Sequence, residues 1–219
     1  MAEFGIVIGN KRYSSWSLRA WILLKHLGVA FDETVIPLRQ ADTRAKILAH
    51  SPGAKVPALK HRGLVVWESL AIGEYLAELF PDAGLWPKDG APRAEARSIA
   101  CEMHAGFQAL RRDMPMICTE SRPGVGHTPE ALADVARVRE IWRNARSKAK
   151  DGPFLFGRFG IADAMYAPVV FRFRTYAPPL DDVARAYVET MLNFAPMRAW
   201  LEGARAETWR VAEYEPTAA

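Results

Sequence analysis

One stretch divides this chain into two unlike halves. Residues 81–92, PDAGLWPKDGAP, hold three prolines and two glycines. No helix or strand runs through such a segment, because proline lacks the N–H and glycine carries the largest conformational entropy. Strand signals crowd the residues ahead of it, and almost none follow it. The sequence therefore predicts a mixed α/β unit over residues 1–81, a linker over 82–92 and an all-helical unit over 93–219.

In the first unit FGIVIG (4–9) is short, β-branched and bounded by glycine and asparagine, and reads as a buried strand. Ala20, Leu23, Leu24 and Leu27 then fall on one helical face, and Gly28 sits where a left-handed cap belongs. FDETVIPL (31–38) reads as a second strand stopped by Pro37, and a weaker helix follows around 41–49. VPALKHRGLVVWES (56–69) reads as two strands turning at Arg62 and Gly63. Ser69 is then a cap candidate for a helix carrying Ile72, Tyr75, Leu76 and Leu79 on one face and closed by Pro81. The order β-α-β-α-β-β-α suits a right-handed βαβ unit followed by a hairpin and a covering helix. Beyond the linker, residues 93–118, 129–149, 161–174, 180–193 and 196–204 read as helices.

Charge and cysteine content narrow the function classes. The net charge is +4, but lysines and arginines are interleaved with acids, as in ADVARVREIWRNARSKAK (133–150), which reads as a solvated helix face and not a phosphate track. Two cysteines, Cys101 and Cys118, make no CxxC and no disulfide framework. Neither a signal-peptide pattern nor an apolar run long enough to span a membrane is present, so the cytoplasm is the expected compartment. The five histidines show no metal-ligand spacing.

Three motifs could carry chemistry. SSWS (14–17) stands at the first strand-to-helix junction, where free N–H groups favour an anion such as a thiolate; on the residues alone the simpler reading is that Ser14 and Ser15 cap the helix. SPGAKVPAL (51–59) places Pro57 at the start of a strand; a cis Val56–Pro57 bond would turn Val56 toward an extended ligand. WESLAI (67–72) puts Glu68 and Ser69 at a helix start, where they could hold the ammonium and carboxylate of an amino acid, or merely complement the helix dipole.

In this order, ahead of an all-helical half, the three motifs resemble the cytosolic glutathione S-transferases over essentially the whole chain. The serine run is similar to the zeta, theta and tau-type serine classes, whose pattern S-x-x-S/C-x-R is matched by Ser14, Ser17 and Arg19. The resemblance implies a thioredoxin-like first domain that binds glutathione and a helical domain lining the electrophile pocket. It implies Ser14 as the catalytic hydroxyl, with Ser15, Lys55, Val56, Pro57, Glu68 and Ser69 as glutathione-binding residues. It also implies glutathione as co-substrate, no metal, a homodimer, no nucleic-acid or membrane partner and a detoxifying role. A glutathione-dependent cis–trans isomerase of the maleylacetoacetate type is the alternative, although Trp16 stands where that class has cysteine. A non-catalytic glutathione- or protein-binding module of the same fold is a further one. GRFGIADAMYAPV (157–169) matches the family's capping box with Asp163 in place and Gly160 in the position of the capping hydroxyl. Arg111 and Arg112 could reach an anionic substrate or serve as surface or interface charges.

Overall fold

The computed structural model describes residues 2–149 and 151–214. Strand β1 (Phe4–Gly9) runs parallel to β2 (Phe31–Ile36), and helix α1 (Ser15–Leu27) connects them. Strands β3 (Ala58–His61) and β4 (Leu64–Trp67) add antiparallel, giving the sheet order β2-β1-β3-β4. Their two-residue turn has positive φ at both Arg62 (49°) and Gly63 (82°), the geometry that matches strand twist in a tight hairpin.

The two-residue period of β1 decides which layer lies on which face. Phe4, Ile6 and Ile8 point into the core shared with α1 and α3 (Ser69–Leu79). Val7 points the other way and packs with Ile36, Ala58 and Ile47, the last from α2 (Thr43–Leu48). Gly28 ends α1 in the left-handed conformation at φ 68°.

All further regular elements are helical: α4 (Gly90–Ala105), α5 (Gln108–Asp113), α6 (Pro129–Lys148), α7 (Ile161–Tyr176), α8 (Asp182–Asn193) and α9 (Ala195–Ala206), with short 3-10 turns at Pro81–Ala83 and Ala212–Tyr214. Helix α7 is apolar almost all round and lies at the centre, against α1, α4 and α8.

Two expectations need correction. The helix expected over 93–118 is broken: α4 stops at Ala105, Phe107 takes a left-handed φ of 61°, and after α5 residues 114–118 are not helical. Ser69 is the first residue of α3 and not its cap. Glu68 holds the cap position, with no side-chain capping bond.

The family's capping-box position also has a physical account. The Asp163 carboxylate accepts from the N–H groups of Gly160 and Leu155, each at 3.0 Å, and from the Tyr187 hydroxyl at 2.9 Å. Burial pushes this carboxyl up to about 6. A Cβ on Gly160 would lie 2.6 Å from the Leu85 carbonyl oxygen, which accepts from the Ile161 N–H at 2.9 Å. The 81–92 segment therefore presses its backbone where a capping side chain would start.

Candidate active site

A cleft of about 910 Å³ opens at the carboxyl end of β1, between the sheet-bearing residues and the helices. Its first wall begins with a turn: the N–H groups of Tyr13 and Ser14 both donate to the Asn10 carbonyl, at 3.1 and 2.8 Å. The Ser14 hydroxyl caps α1 by accepting from the Ser17 N–H at 3.4 Å, and donates to the Ser17 hydroxyl at 2.7 Å. Ser17 in turn accepts from the Gly9 N–H at 3.0 Å, so Ser14 is tied to the last residue of β1. Ser15 is buried and lines the cleft, and its hydroxyl takes no protein partner among the described residues.

The same wall continues with Lys55, Val56 and Pro57, and the Val56–Pro57 bond is cis. It ends at Glu68 and Ser69. Glu68 takes φ 68°, a region costing a non-glycine residue of order 1–3 kcal/mol, immediately before α3. Ser69 is 1% exposed, lines the cleft, and its buried Oγ has no hydrogen-bond partner among the described residues. Ser14, Ser15, Lys55, Val56, Pro57, Glu68 and Ser69 thus all line one cleft. This wall carries the N-termini of α1 and α3, with their free N–H groups and partial positive charge.

The opposite wall is cationic. Arg111 returns to the end of α4, its Nε donating to Gly106 O at 2.9 Å and its Nη2 to the carbonyls of Met103 and His104. Arg172, on α7, donates from Nε to Met114 O at 2.8 Å, while its buried Nη1 has no hydrogen-bond partner among the described residues. Behind them Arg19 is fully buried, bonded to Met165 O by Nε, with neither terminal nitrogen hydrogen-bonded among the described residues. The Trp16 ring lies between Arg19 at 4.3 Å and Arg111 at 4.9 Å, with His104 edge-on at 5.1 Å.

Among the described residues none of the three arginines forms an ion pair with a carboxylate. Burial, then Arg111's charge, pushes Arg172 down to about 9; burial, then Arg111 and Arg172, lowers Arg19 as well. Burial, then the charge of Arg19, lowers His104, with Glu68 opposing. Arg112, by contrast, is exposed and paired with Asp113, outside the cleft.

Cys118 is buried, with its thiol pushed up to about 12 by burial, and Cys101 is exposed on α4. Neither lines the cleft, so a sulfur nucleophile would have to arrive with a ligand. Arg172 had a legible sign in the sequence, since it is a charge inside the apolar run PVVFRF. Met116, Val211 and Tyr214, which also line this wall, had none.

Comparison with known proteins agrees along most of the chain. The glutathione S-transferase N-terminal domain model matches residues 13–79 and the glutathione S-transferase C-terminal domain model matches residues 104–203. A probable maleylacetoacetate isomerase of Caenorhabditis elegans is 40% identical over 96 residues, 44% of each chain. Glutathione S-transferase L1 of Arabidopsis thaliana is 28% identical over 84% of this chain and 71% of its own length. The theta class glutathione S-transferase of Xanthomonas axonopodis pv. citri, solved with glutathione bound, superposes with a TM-score of 0.68 at 24% identity, over 92% of this chain and 98% of that one.

Proposed function

Since the chain belongs to the glutathione S-transferase family, we propose that its cleft binds glutathione and activates the thiol as a thiolate for attack on an electrophilic small molecule. The observation that carries this reading is the unpartnered, buried Ser69 hydroxyl at the start of α3, sharing one cleft with Ser14 and Ser15 at the start of α1. Ser69 and the free N–H groups of α3 receive the γ-glutamyl carboxylate, and Glu68 faces the ammonium. Val56 offers its backbone to the cysteinyl unit beside Pro57, and Lys55 faces the glycyl carboxylate.

The sulfur then lies at the start of α1. Ser14 donates to it by turning its proton outward, while Ser17 supplies the proton that keeps their contact. A free thiol has a pKa of about 8.5, and lowering it by two units requires about 2.7 kcal/mol of preference for the thiolate. One charge-assisted hydrogen bond and a helix N-terminus together are of about that size. The thiol proton leaves to solvent, and the sulfur lone pair forms the new S–C bond as the leaving group departs with its electron pair.

A second reading is favoured by Arg111 and Arg172. Two guanidinium groups with no carboxylate partner suit an electrophile that itself carries a carboxylate, because an unpaired buried charge is expensive. On a cis-alkenoate the thiolate adds to the double bond, the single bond so formed rotates, and sulfur leaves again, giving the trans isomer with no net change in composition. The name of the Caenorhabditis elegans relative supports this isomerase reading. Homodimerisation, a cytoplasmic site of action and a detoxifying role belong to the same proposal. Among the described residues no helix is long and apolar enough to cross a membrane.

Initial rates with glutathione, measured on an aryl halide, a neutral cis-alkene and a cis-alkenoate, test both readings. Conjugation of the aryl halide supports the transferase, and isomerisation confined to the alkenoate supports the isomerase. Glutathione binding without turnover on any of the three overturns both in favour of a non-catalytic module.

A further inference from the structure

The loop that delivers Ser14 is held at its ends by its own half of the molecule, through Asn10 and Ser17, and at its middle, Lys11 and Arg12, by the other half. Among the described residues, all four backbone groups of Lys11 and Arg12 that have partners find them in the helical half. The Lys11 and Arg12 N–H groups donate to the two carboxylate oxygens of Glu207, at 2.7 and 3.2 Å, from 196 and 195 residues away. The Lys11 carbonyl accepts from the Trp200 indole N–H at 2.9 Å and from the Cys118 thiol at 3.5 Å. The Arg12 carbonyl accepts from the Cys118 N–H at 3.1 Å. Two residues farther along the turn is Ser14.

We propose that Glu207, at the end of α9, is a positioning residue for the Ser14 hydroxyl, acting through the backbone of Lys11 and Arg12. The inference rests on the transferase reading of Ser14. A carboxylate is the side chain suited to this task, because it offers two acceptor oxygens in a fork to two successive N–H groups. Glutamine offers one oxygen and turns its own NH₂ against the second donor. Burial raises the Glu207 carboxyl, and the two amide bonds oppose that shift, so the carboxylate is held in place by the loop it holds. Trp200 fixes the neighbouring carbonyl in the same way, and its side chain is fully buried. A shift of about 1 Å in a catalytic group costs as much as a hundredfold in rate.

Glu207→Gln keeps size and packing, and the probe is the ultraviolet thiolate absorbance of bound glutathione as pH is varied. The variant should raise the thiol pKa toward that of free glutathione and lower kcat by about tenfold or more, while S-methylglutathione, which has no thiol proton, binds with unchanged affinity. Trp200→Phe, which removes only the indole donor, should move both readouts the same way by less. Glu33→Gln is the control, because Glu33 bonds the Lys11 ammonium and not its backbone; it should move neither. An unchanged thiol pKa in folded Glu207→Gln and Trp200→Phe would overturn the positioning role and leave the function reading intact. An undepressed thiol pKa in the wild type would overturn both.

Discussion

The two walls of the cleft hold charge in opposite ways. The wall built from residues 10–69 buries neutral hydroxyls at the starts of α1 and α3 and keeps its charges, Arg39, Lys55 and Glu68, exposed, while the helical wall presents more deeply placed guanidinium charges on Arg111 and Arg172. Neutral donors suit a group whose charge changes along a reaction, since they strengthen as a thiol becomes a thiolate and release it when it returns. Fixed cations suit a group that is anionic throughout. In the proposed function the thiol would therefore lie on one wall and a carboxylate-bearing electrophile on the other.

Removing a cation should break this division most visibly. Arg172→Met is expected to lower kcat/KM for a cis-alkenoate by about a hundredfold, the scale of losing one partner of a buried charge pair, and to leave a neutral electrophile nearly unaffected. The same variant should leave Tm unchanged or raise it, because a buried charge without a carboxylate partner is costly to desolvate. Equal losses on both electrophiles would erase the contrast between the walls.

On the neutral wall, Ser69→Ala should weaken glutathione binding by about tenfold, as a hydrogen bond to a charged group of about 1.5 kcal/mol would. Calorimetry with glutathione and with an analogue lacking the γ-glutamyl α-carboxylate measures this. Wild-type affinity in the variant would remove Ser69 from the γ-glutamyl contact.

Gly160→Ser would restore the hydroxyl that the family places before Asp163. Because its Cβ would meet the Leu85 carbonyl at 2.6 Å, the substitution should destabilise by about 1–3 kcal/mol in denaturant unfolding. A more stable variant would show that the linker backbone yields.

The smallest effect concerns His104, whose folded pKa is lowered by burial and then by Arg19. The unfolded chain takes up this proton near its ordinary value of about 6.5 and the folded chain only at lower pH. The contribution of the neutral histidine is therefore present above about pH 6.5 and is lost as pH falls below it. The Tm of the wild type should drop relative to His104→Gln between about pH 7 and pH 5. Parallel curves would mean that Glu68, 3.9 Å away, compensates the burial.

Much of the first wall was legible because its signals are local. The β1 pattern, the glycine after α1, the Arg62–Gly63 turn and the serines at helix starts each follow from a few neighbouring residues. Helix 93–118 misled for a related reason. Met103, Phe107, Leu110 and Met114 keep helical spacing and are all buried, yet the chain turns left-handed at Phe107. Contacts that are not spacings reveal why the break is stable: Arg111 reaches back to the His104 carbonyl, the Gln108 side chain donates to the Ala105 carbonyl, and the Leu110 N–H donates to Asp134. Glu207 was illegible in the same sense, and for Arg172 the charge inside PVVFRF showed that the residue was unusual but not what it faces. Their meaning comes from what α7 and α9 lie against.

The most direct measurement is the thiolate absorbance of bound glutathione against pH in wild type and Ser14→Ala. The wild-type thiol should titrate about two units below its free value and return toward that value in Ser14→Ala, with Ser15→Ala following the wild type. A thiol pKa equally depressed in wild type and Ser14→Ala would contradict a catalytic role for Ser14, and a return seen only in Ser15→Ala would pass the role to the neighbouring hydroxyl.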